Sequence, residues 1–252
     1  EVSDQTIRLA TTTSMRDSGL LAELLPAFTA ETGIEVDVIA VGSGAAMNLA
    51  KTNDVDILIT HSPANEIEFV EDGYAINRTT FAWNRFVIIG PNQLSGNLTE
   101  SMSSLVIENK CFISRGDSSG THIKEQDVWR NVALVSNLSF INNELGYHPE
   151  WDGYQSIGQG MGAAITIANE LECWTLSDKG TALFRSNNIE LMIQEFESPE
   201  LVNPYSVLLL DNDKLSSTTL FRDFLLNSAD LINNYTVSNQ TLFESGTPLN
   251  SV

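Results

Sequence analysis

Within the first 75 residues or so a strand pattern alternates three times with a helix pattern, and this alternation restricts the chain more than any other feature. Ile7-Arg8-Leu9-Ala10 is a short strand-like run that ends in Thr11-Thr12-Thr13-Ser14. A helical pattern follows from near Asp17, with Leu20, Leu21, Leu24, Leu25 and Phe28 on one face. Ser14 with Asp17 three residues on reads as its capping pair, and Gly33 as its stop. Residues 34–41 alternate apolar and polar as a second strand, Gly42-Ser43-Gly44 leads into a short helix over 45–51, and residues 55–60 form a third strand. A further helix over 64–72 ends at Gly73. Successive parallel strands need helical crossovers, so this order specifies an α/β unit with a mostly parallel sheet flanked by helices. Ligands of such sheets collect beyond the carboxyl ends of the strands. The donor-rich turns Thr11–Ser14 and Gly42–Gly44 fall at that edge.

The remaining sequence repeats the plan. Residues 81–90 are apolar, Pro91 closes them, and the Gly/Asn/Ser-rich stretch 92–97 suggests a crossing into a second lobe. There the spacing predicts a helix over 100–108, a strand over 111–114 and a helix over 121–135. Loop and turn follow over 137–153, then a glycine-rich lead into a helix over 163–171. A strand over 173–176 runs into a helix capped by Ser177 through 184, and a strand over 189–196 ends the set. Residues 202–210 look extended and carry the chain back to the first lobe, 216–235 read as one long helix, and 242–252 as a tail. A chain of 252 residues exceeds one typical core, which agrees with two lobes.

Composition narrows the partners. Hydrophobic residues make up 42% and charged residues 18%, the balance of a folded protein. The net charge of −20, from 13 basic and 33 acidic side chains, argues against nucleic acid and against an anionic membrane, both of which need a basic footprint. It leaves room for a small anion, because local dipoles and one Arg outweigh distant, salt-screened charge. The acidity itself suits solubility or a saline medium. No apolar run reaches the length of a membrane span. The opening Glu1-Val2-Ser3-Asp4 carries no signal-peptide pattern and reads as the start of a processed chain or of a trimmed one. Cys111 and Cys173 fit no zinc spacing, and with three scattered histidines neither a metal nor another cofactor is expected. If the strands they begin are neighbours, the two cysteines can face each other as a disulfide; otherwise they are two buried thiols.

Ser114-Arg115-Gly116-Asp117-Ser118-Ser119-Gly120-Thr121-His122 sits where a strand ends and a helix begins. Its hydroxyls, its glycine-exposed backbone and one guanidinium all donate hydrogen bonds, so the guest it suits is an anion with several oxygens. Residues 158–162, Gly-Gln-Gly-Met-Gly, form a fourth turn of the same kind. Two of the four turns fall in each lobe, and if the lobes face each other all four point into one cleft. Arg115 is the charge partner of choice. Asp117 either orders the loop through backbone N–H groups or accepts a proton from the ligand. His61 and His122 beside the turns read as packed or exposed side chains. No nucleophile elbow, metalloprotease helix, P-loop or dinucleotide fingerprint is present, so no enzyme is indicated.

These residues carry a family resemblance. Leu9-Ala10-Thr11-Thr12-Thr13-Ser14 with Asp17-Ser18-Gly19-Leu20-Leu21 resembles the opening of tungstate-binding proteins of the TupA type, the extracytoplasmic receptors of ABC importers. Val41-Gly42-Ser43-Gly44, the nonamer 114–122, the glycine turn 158–162, Thr175-Leu176-Ser177-Asp178-Lys179-Gly180 and Asn203-Pro204-Tyr205 match in order. The resemblance implies a two-lobed periplasmic-binding-protein type II fold with the ligand in the cleft. Lobe I would comprise 1–86 and 204–252 and lobe II 87–203, with hinge crossings near 84–91 and 200–206. It implies a monomeric periplasmic receptor that binds tungstate, with molybdate as close competitor, and delivers it to a membrane permease. The contacts it implies are Thr12, Thr13, Ser14, Ser43, Arg115 and Thr121, with Ser119 and Gly120 beside them. The chain departs from the family at Cys173-Trp174. A phosphate receptor of the same fold is the alternative. It would need a carboxylate for the ligand's proton, and none stands in the turn Thr60-His61-Ser62. A small hydrolase working through Ser119 and His122, and a sensor module docking on another membrane protein, are more distant alternatives.

Overall fold

Strand β1 (Ile7–Thr12) runs through one short helix, α1 (Thr13–Asp17), into α2 (Leu20–Thr32). The chain continues through β2 (Val36–Val41), α3 (Ser43–Lys51), β3 (Ile57–Thr60) and α4 (Pro63–Glu71) to the long strand β4 (Asn77–Gly90). A computed structural model describes residues 6–248 of the chain. The opening Glu1-Val2-Ser3-Asp4 and the last four residues of the expected tail lie outside them. β1 is parallel to β2, from Ile7↔Val36 to Thr12↔Val41, and to β3, from Leu9↔Ile57 to Thr11↔Ile59. The three strands therefore end together, and the turns that follow share one sheet edge.

After β4 come α5 (Leu98–Ile107), β5 (Phe112–Ser114), α6 (Gly120–Val135), β6 (Phe140–Asn143), β7 (Gly146–Pro149) and β8 (Tyr154–Ser156). Then follow α7 (Met161–Leu171), β9 (Trp174–Asp178), α8 (Lys179–Arg185) and β10 (Met192–Gln194). β11 (Val202–Leu209), α9 (Leu215–Asn227), α10 (Ala229–Asn233) and the short strands β12 (Thr236–Val237), β13 (Gln240–Thr241) and β14 (Glu244–Ser245) complete the chain. Two units result: Glu1–Asn84 with Asn203–Val252, and Arg85–Val202. The first has a mixed sheet in the order β2-β1-β3-β11-β4, with β14 also on β4; the second has the order β4-β9-β5-β8, with β10 also on β4. β4 contributes its first part to one unit and its last part to the other.

Each unit is held by apolar burial on both faces of its sheet. In the first, Ala10, Leu58 and Leu208 pack with Met47 and Phe69, and Phe28 of α2 meets Phe221 of α9 with ring centroids 4.9 Å apart. In the second, Phe86 and Ile88 join Phe112 and Trp129 in one cluster, while Val87 and Ile89 join Ile113 and Ile165 in another. Neighbouring residues of β4 thus serve opposite faces, which is why residues 86–89 read as an unbroken apolar run.

Several local expectations are corrected. The cap at the first turn is Thr12, whose hydroxyl accepts the Met15 N–H at 3.2 Å, and not the pair Ser14–Asp17. Gly19, at φ 82°, separates α1 from α2; a Cβ there would collide with the Tyr235 hydroxyl, which donates to the Ser18 carbonyl at 2.7 Å. Ser177 is buried inside β9, and Asp178 caps α8 by accepting from Thr181 N–H. The loop expected over 137–153 contains the hairpin β6–β7. The expected strand over 189–196 shortens to β10, and the expected long helix breaks at Ser228. β11 runs antiparallel to β3.

The two cysteines form a disulfide. β5 and β9 are parallel neighbours, Trp174 N–H donates to the Cys111 carbonyl at 3.0 Å, and the Cα atoms of Cys111 and Cys173 are 4.9 Å apart. The bond spans a sequence separation of 62 residues. In the chain-entropy account, closing a loop of that length stabilises the folded state by about 4 kcal/mol. The double variant Cys111→Ala, Cys173→Ala should therefore unfold at clearly lower urea concentration than the parent, and addition of a thiol reductant should move the parent's midpoint but not the variant's.

Candidate functional site

In the first unit, three turns leave the parallel strands at the common edge. Thr12 closes β1 and Gly42-Ser43 follows β2, directly beside it in the Thr12↔Val41 register. His61 follows β3. Gly42 and Gly44 have open space where side chains would stand, so the backbone there is accessible. Thr13 is exposed, while Thr12 is buried and Ser14 half-buried.

The hydroxyls of this edge are linked. Thr12 Oγ1 lies 3.1 Å from Ser14 Oγ, which lies 3.1 Å from His61 Nε2. His61 Nδ1 is 2.9 Å from Asn203 Oδ1, and its ring stacks on Tyr205 at 4.9 Å between centroids. Asn203 in turn donates through Nδ2 to Asn84 Oδ1 at 2.9 Å and to the Tyr205 hydroxyl at 3.1 Å. Sequence reasoning treated His61 as an ordinary packed or exposed residue, and it is instead the ring that ties the first donor turn to β11. The only pointer in the sequence was its place directly after a strand that ends beside the other turns. A carboxylate also reaches this turn, from α4 rather than from the turn itself. Buried Glu66 accepts from the Thr60 hydroxyl at 2.7 Å and Ser62 N–H at 2.8 Å through Oε1, and from Arg78 Nε at 2.7 Å through Oε2.

In the second unit, β5 ends at Ser114 and the nonamer turns into α6. Gly116 sits at φ 59°, and a Cβ there would strike the Ser156 hydroxyl, so glycine is favoured at this position. Ser118 is also left-handed, at φ 58°. His122 stabilises it: Nδ1 accepts the Ser118 N–H at 3.1 Å and Nε2 donates to the Leu145 carbonyl at 3.1 Å, which fixes the neutral tautomer. Burial lowers the His122 pKa in agreement. Ser119 is the N-cap, accepting from His122 N–H, and the helix begins at Gly120, one residue before the expected start. The first-turn N–H groups of Gly120 and Thr121 have no partner within the helix.

Asp117 organises the rest. Its Oδ1 accepts from Ser119 N–H at 3.2 Å, and its Oδ2 accepts from Arg115 Nε at 3.1 Å and Nη2 at 2.5 Å. Burial alone would raise its pKa, yet the bonds from Ser119 and Arg115 hold it below the ordinary carboxylate value. Of the two roles open to Asp117, loop ordering is the one it fills here. Arg115 is thereby fixed by a neighbouring Asp and keeps Nη1 turned toward Thr121 Oγ1 at 3.4 Å. The fourth turn is tied to the same loop: Ile157 N–H donates to the Ser114 carbonyl and Gln159 N–H to the Arg115 carbonyl, each at 3.1 Å. It leads into α7, whose N-cap Gly160 has open space around it. Each predicted site residue thus falls on a donor turn: Thr12, Thr13, Ser14 and Ser43 on one sheet edge of the first unit, Arg115, Ser119, Gly120 and Thr121 together in the second.

Behind the nonamer lies a carboxyl that sequence reasoning missed. Glu125 is buried on α6 and accepts from the Tyr154 hydroxyl at 2.7 Å. Its burial pushes its pKa up to about 7, against the pull of Tyr154, Ser114 and Trp129.

Comparison with known proteins places this architecture. The family model described as a PBP superfamily domain matches residues 1–227. The tungstate-binding protein TupA of Peptoclostridium acidaminophilum is 38% identical over 216 residues, covering 82% of this chain and 71% of that protein. The solved structure of the tungstate-binding protein TupA from Desulfovibrio alaskensis G20 superposes with a TM-score of 0.83 at 29% identity, over 96% of this chain and 99% of that one. The structure of the tungstate ABC transporter from Geobacter sulfurreducens gives a TM-score of 0.69 at 34% identity, over 94% of this chain and 97% of that one.

The raised pKa of Glu125 has a measurable consequence. A carboxyl whose folded pKa lies near 7, above its ordinary 4.5, favours folding below the lower value and loses that contribution as pH rises through the higher one. Glu125→Gln keeps an acceptor for Tyr154 and removes the titration. Between about pH 5 and about pH 8 the parent should lose on the order of 2–3 kcal/mol of unfolding free energy relative to this variant. Denaturant titrations at the two pH values check it; His122, whose lowered pKa acts in the opposite sense, is common to both proteins and cancels in the difference.

Proposed function

We propose, on the premise that this chain belongs to the TupA-type tungstate-binding proteins of the PBP superfamily, that it is an extracytoplasmic receptor which captures tungstate and passes it to the permease of an ABC importer. It is a binding protein, not an enzyme. Thr12, Thr13, Ser14 and Ser43 from the first unit and Arg115, Ser119, Gly120 and Thr121 from the second hold the anion. No cofactor is called for, since the oxyanion is the cargo. Among the described residues no helix is long and apolar enough to cross a membrane.

One observation carries the reading. The carboxylates at these turns already have both oxygens engaged: Asp117 by Arg115 and Ser119, Glu66 by Thr60, Ser62 and Arg78. These carboxylates are held by the protein's own donors, and the backbone N–H groups of the turns and Arg115 Nη1 are what remains for an anion. Tungstate is a fully ionised tetrahedral dianion at neutral pH and needs only donors. Molybdate shares that charge and shape and competes. Phosphate at neutral pH carries a proton that seeks an acceptor, which disfavours the phosphate-receptor alternative. A rigid cage of donors tuned to the larger anion would fit the smaller sulfate tetrahedron poorly.

Arg115 supplies the charge-assisted bonds, and such bonds are individually worth about 1.5–3 kcal/mol. Arg115→Ala should weaken tungstate binding in titration calorimetry by about 10- to 100-fold while circular dichroism stays unchanged. An unaltered affinity in that variant would remove Arg115 from the site.

A further inference from the structure

The hydroxyl chain at the first donor turn has a direction. Asn203 gives its two Nδ2 hydrogens to Asn84 Oδ1 and the Tyr205 hydroxyl, so Oδ1 faces His61 and the proton of the imidazole sits on Nδ1. In the neutral ring Nε2 is then an acceptor, and the group 3.1 Å from it is the Ser14 hydroxyl. Ser14 must point its hydrogen at His61. Thr12 Oγ1 receives the Met15 N–H and, 3.1 Å from Ser14 Oγ, points its own hydrogen at Ser14. Both hydroxyl hydrogens are consumed inward, and the two oxygens present lone pairs outward. That is the wrong polarity for a dianion.

We propose that His61 takes up one proton from solvent when the anion binds, reversing the Thr12–Ser14–His61 chain so that a hydroxyl hydrogen faces the anion. This deepens the receptor reading and rests on it. The proton goes to Nε2, which now donates to Ser14 Oγ. Ser14 then donates either to the anion directly or to Thr12 Oγ1, whose hydrogen is released to the anion. Nδ1–H stays on Asn203, and the stacking on Tyr205 keeps the ring plane fixed in both states. The imidazolium also gives the first unit a positive charge at this turn. Arg16 does not serve there, because it is exposed and bonded to Asp17.

The groups around the ring fit this role. β11 presents Asn203 and Tyr205 to it, an amide and a phenol, α1 presents Ser14, and Asn84 of β4 bonds Asn203. The charged groups that reach its turn are Glu66 of α4 and Arg78 of β4, and these are bonded to each other. An unperturbed imidazole titrates near 6.5, so a nearby dianion that favours the cation brings protonation into the neutral range. In the second unit the Glu125 carboxyl is pushed up to about 7, and it must be separated from His61 by experiment.

The test is titration calorimetry of the whole chain with sodium tungstate in buffers of differing ionisation enthalpy, from about pH 7 to about pH 8.5, where tungstate itself carries no proton. The parent should take up a measurable fraction of a proton per anion, at most one, and its affinity should fall with rising pH by no more than about tenfold per pH unit in this range. His61→Gln should bind with no proton uptake and a flat pH profile, a result that a merely structural role for the ring would not produce. Glu125→Gln should keep the parent's uptake. Binding by the parent without buffer-dependent heat, or uptake that survives in His61→Gln and vanishes in Glu125→Gln, overturns the role of His61 and leaves the receptor reading intact. Absence of any tungstate binding by the parent overturns both.

Discussion

Parallel strands that end in register force the turns after them onto one edge, and the rest of this protein's chemistry depends on that constraint. β1, β2 and β3 end at Thr12, Val41 and Thr60, and none can turn straight back, because each must leave through a helix on the face of the sheet. Every exit exposes backbone N–H groups and favours small hydroxylic or glycine residues. The second unit repeats the construction with β5 and β8, whose ends Ser114 and Ser156 are register partners. The donor turns are thus a product of topology, and their residues refine what the topology supplies.

The electrostatics follow from the same economy. A chain with a net charge of −20 has to keep carboxylates from cancelling its donors. At both edges it does so by engaging them: Glu66 is buried against Arg78, and Asp117 is gripped by Arg115 on one oxygen and capped by a backbone N–H on the other. The Arg115–Asp117 pair costs the site part of a positive charge and gains a guanidinium of fixed direction, which lowers the entropy lost when a ligand arrives. His122 does for the backbone of this loop what Asp117 does for Arg115, by holding Ser118 in its left-handed conformation.

Much of this was legible in the sequence, for physical reasons that also mark where legibility ends. The β-α-β-α-β-α order was visible because apolar periodicity changes at each junction from Ile7 to Gly73, even where the capping residue was misplaced, as at Thr12. The nonamer stood out because glycines, hydroxyls and an Arg coincide at a strand-to-helix boundary. The strand direction of β11 was not visible, since burial on both faces gives the same apolar run in either direction. The hairpin β6–β7 was hidden by its polar Asn142 and Asn143. The cap moved from Ser177 to Asp178 because burial in β9, a tertiary effect, extended the strand by two residues. His61 was missed because its partner Asn203 lies 142 residues away, and a lone histidine looks the same whether or not its ring is bonded. Glu125 was missed because a helix with charges on all sides gives no sign of which one faces inward.

The claim that these donor-rich turns serve a fully ionised tetrahedral anion is tested most directly by the shift in thermal unfolding midpoint with tungstate, molybdate, sulfate and phosphate at equal concentration. Only a ligand that binds the folded chain raises the midpoint. The account predicts large shifts with tungstate and molybdate and little or none with sulfate and phosphate. A large shift with phosphate alone would contradict it.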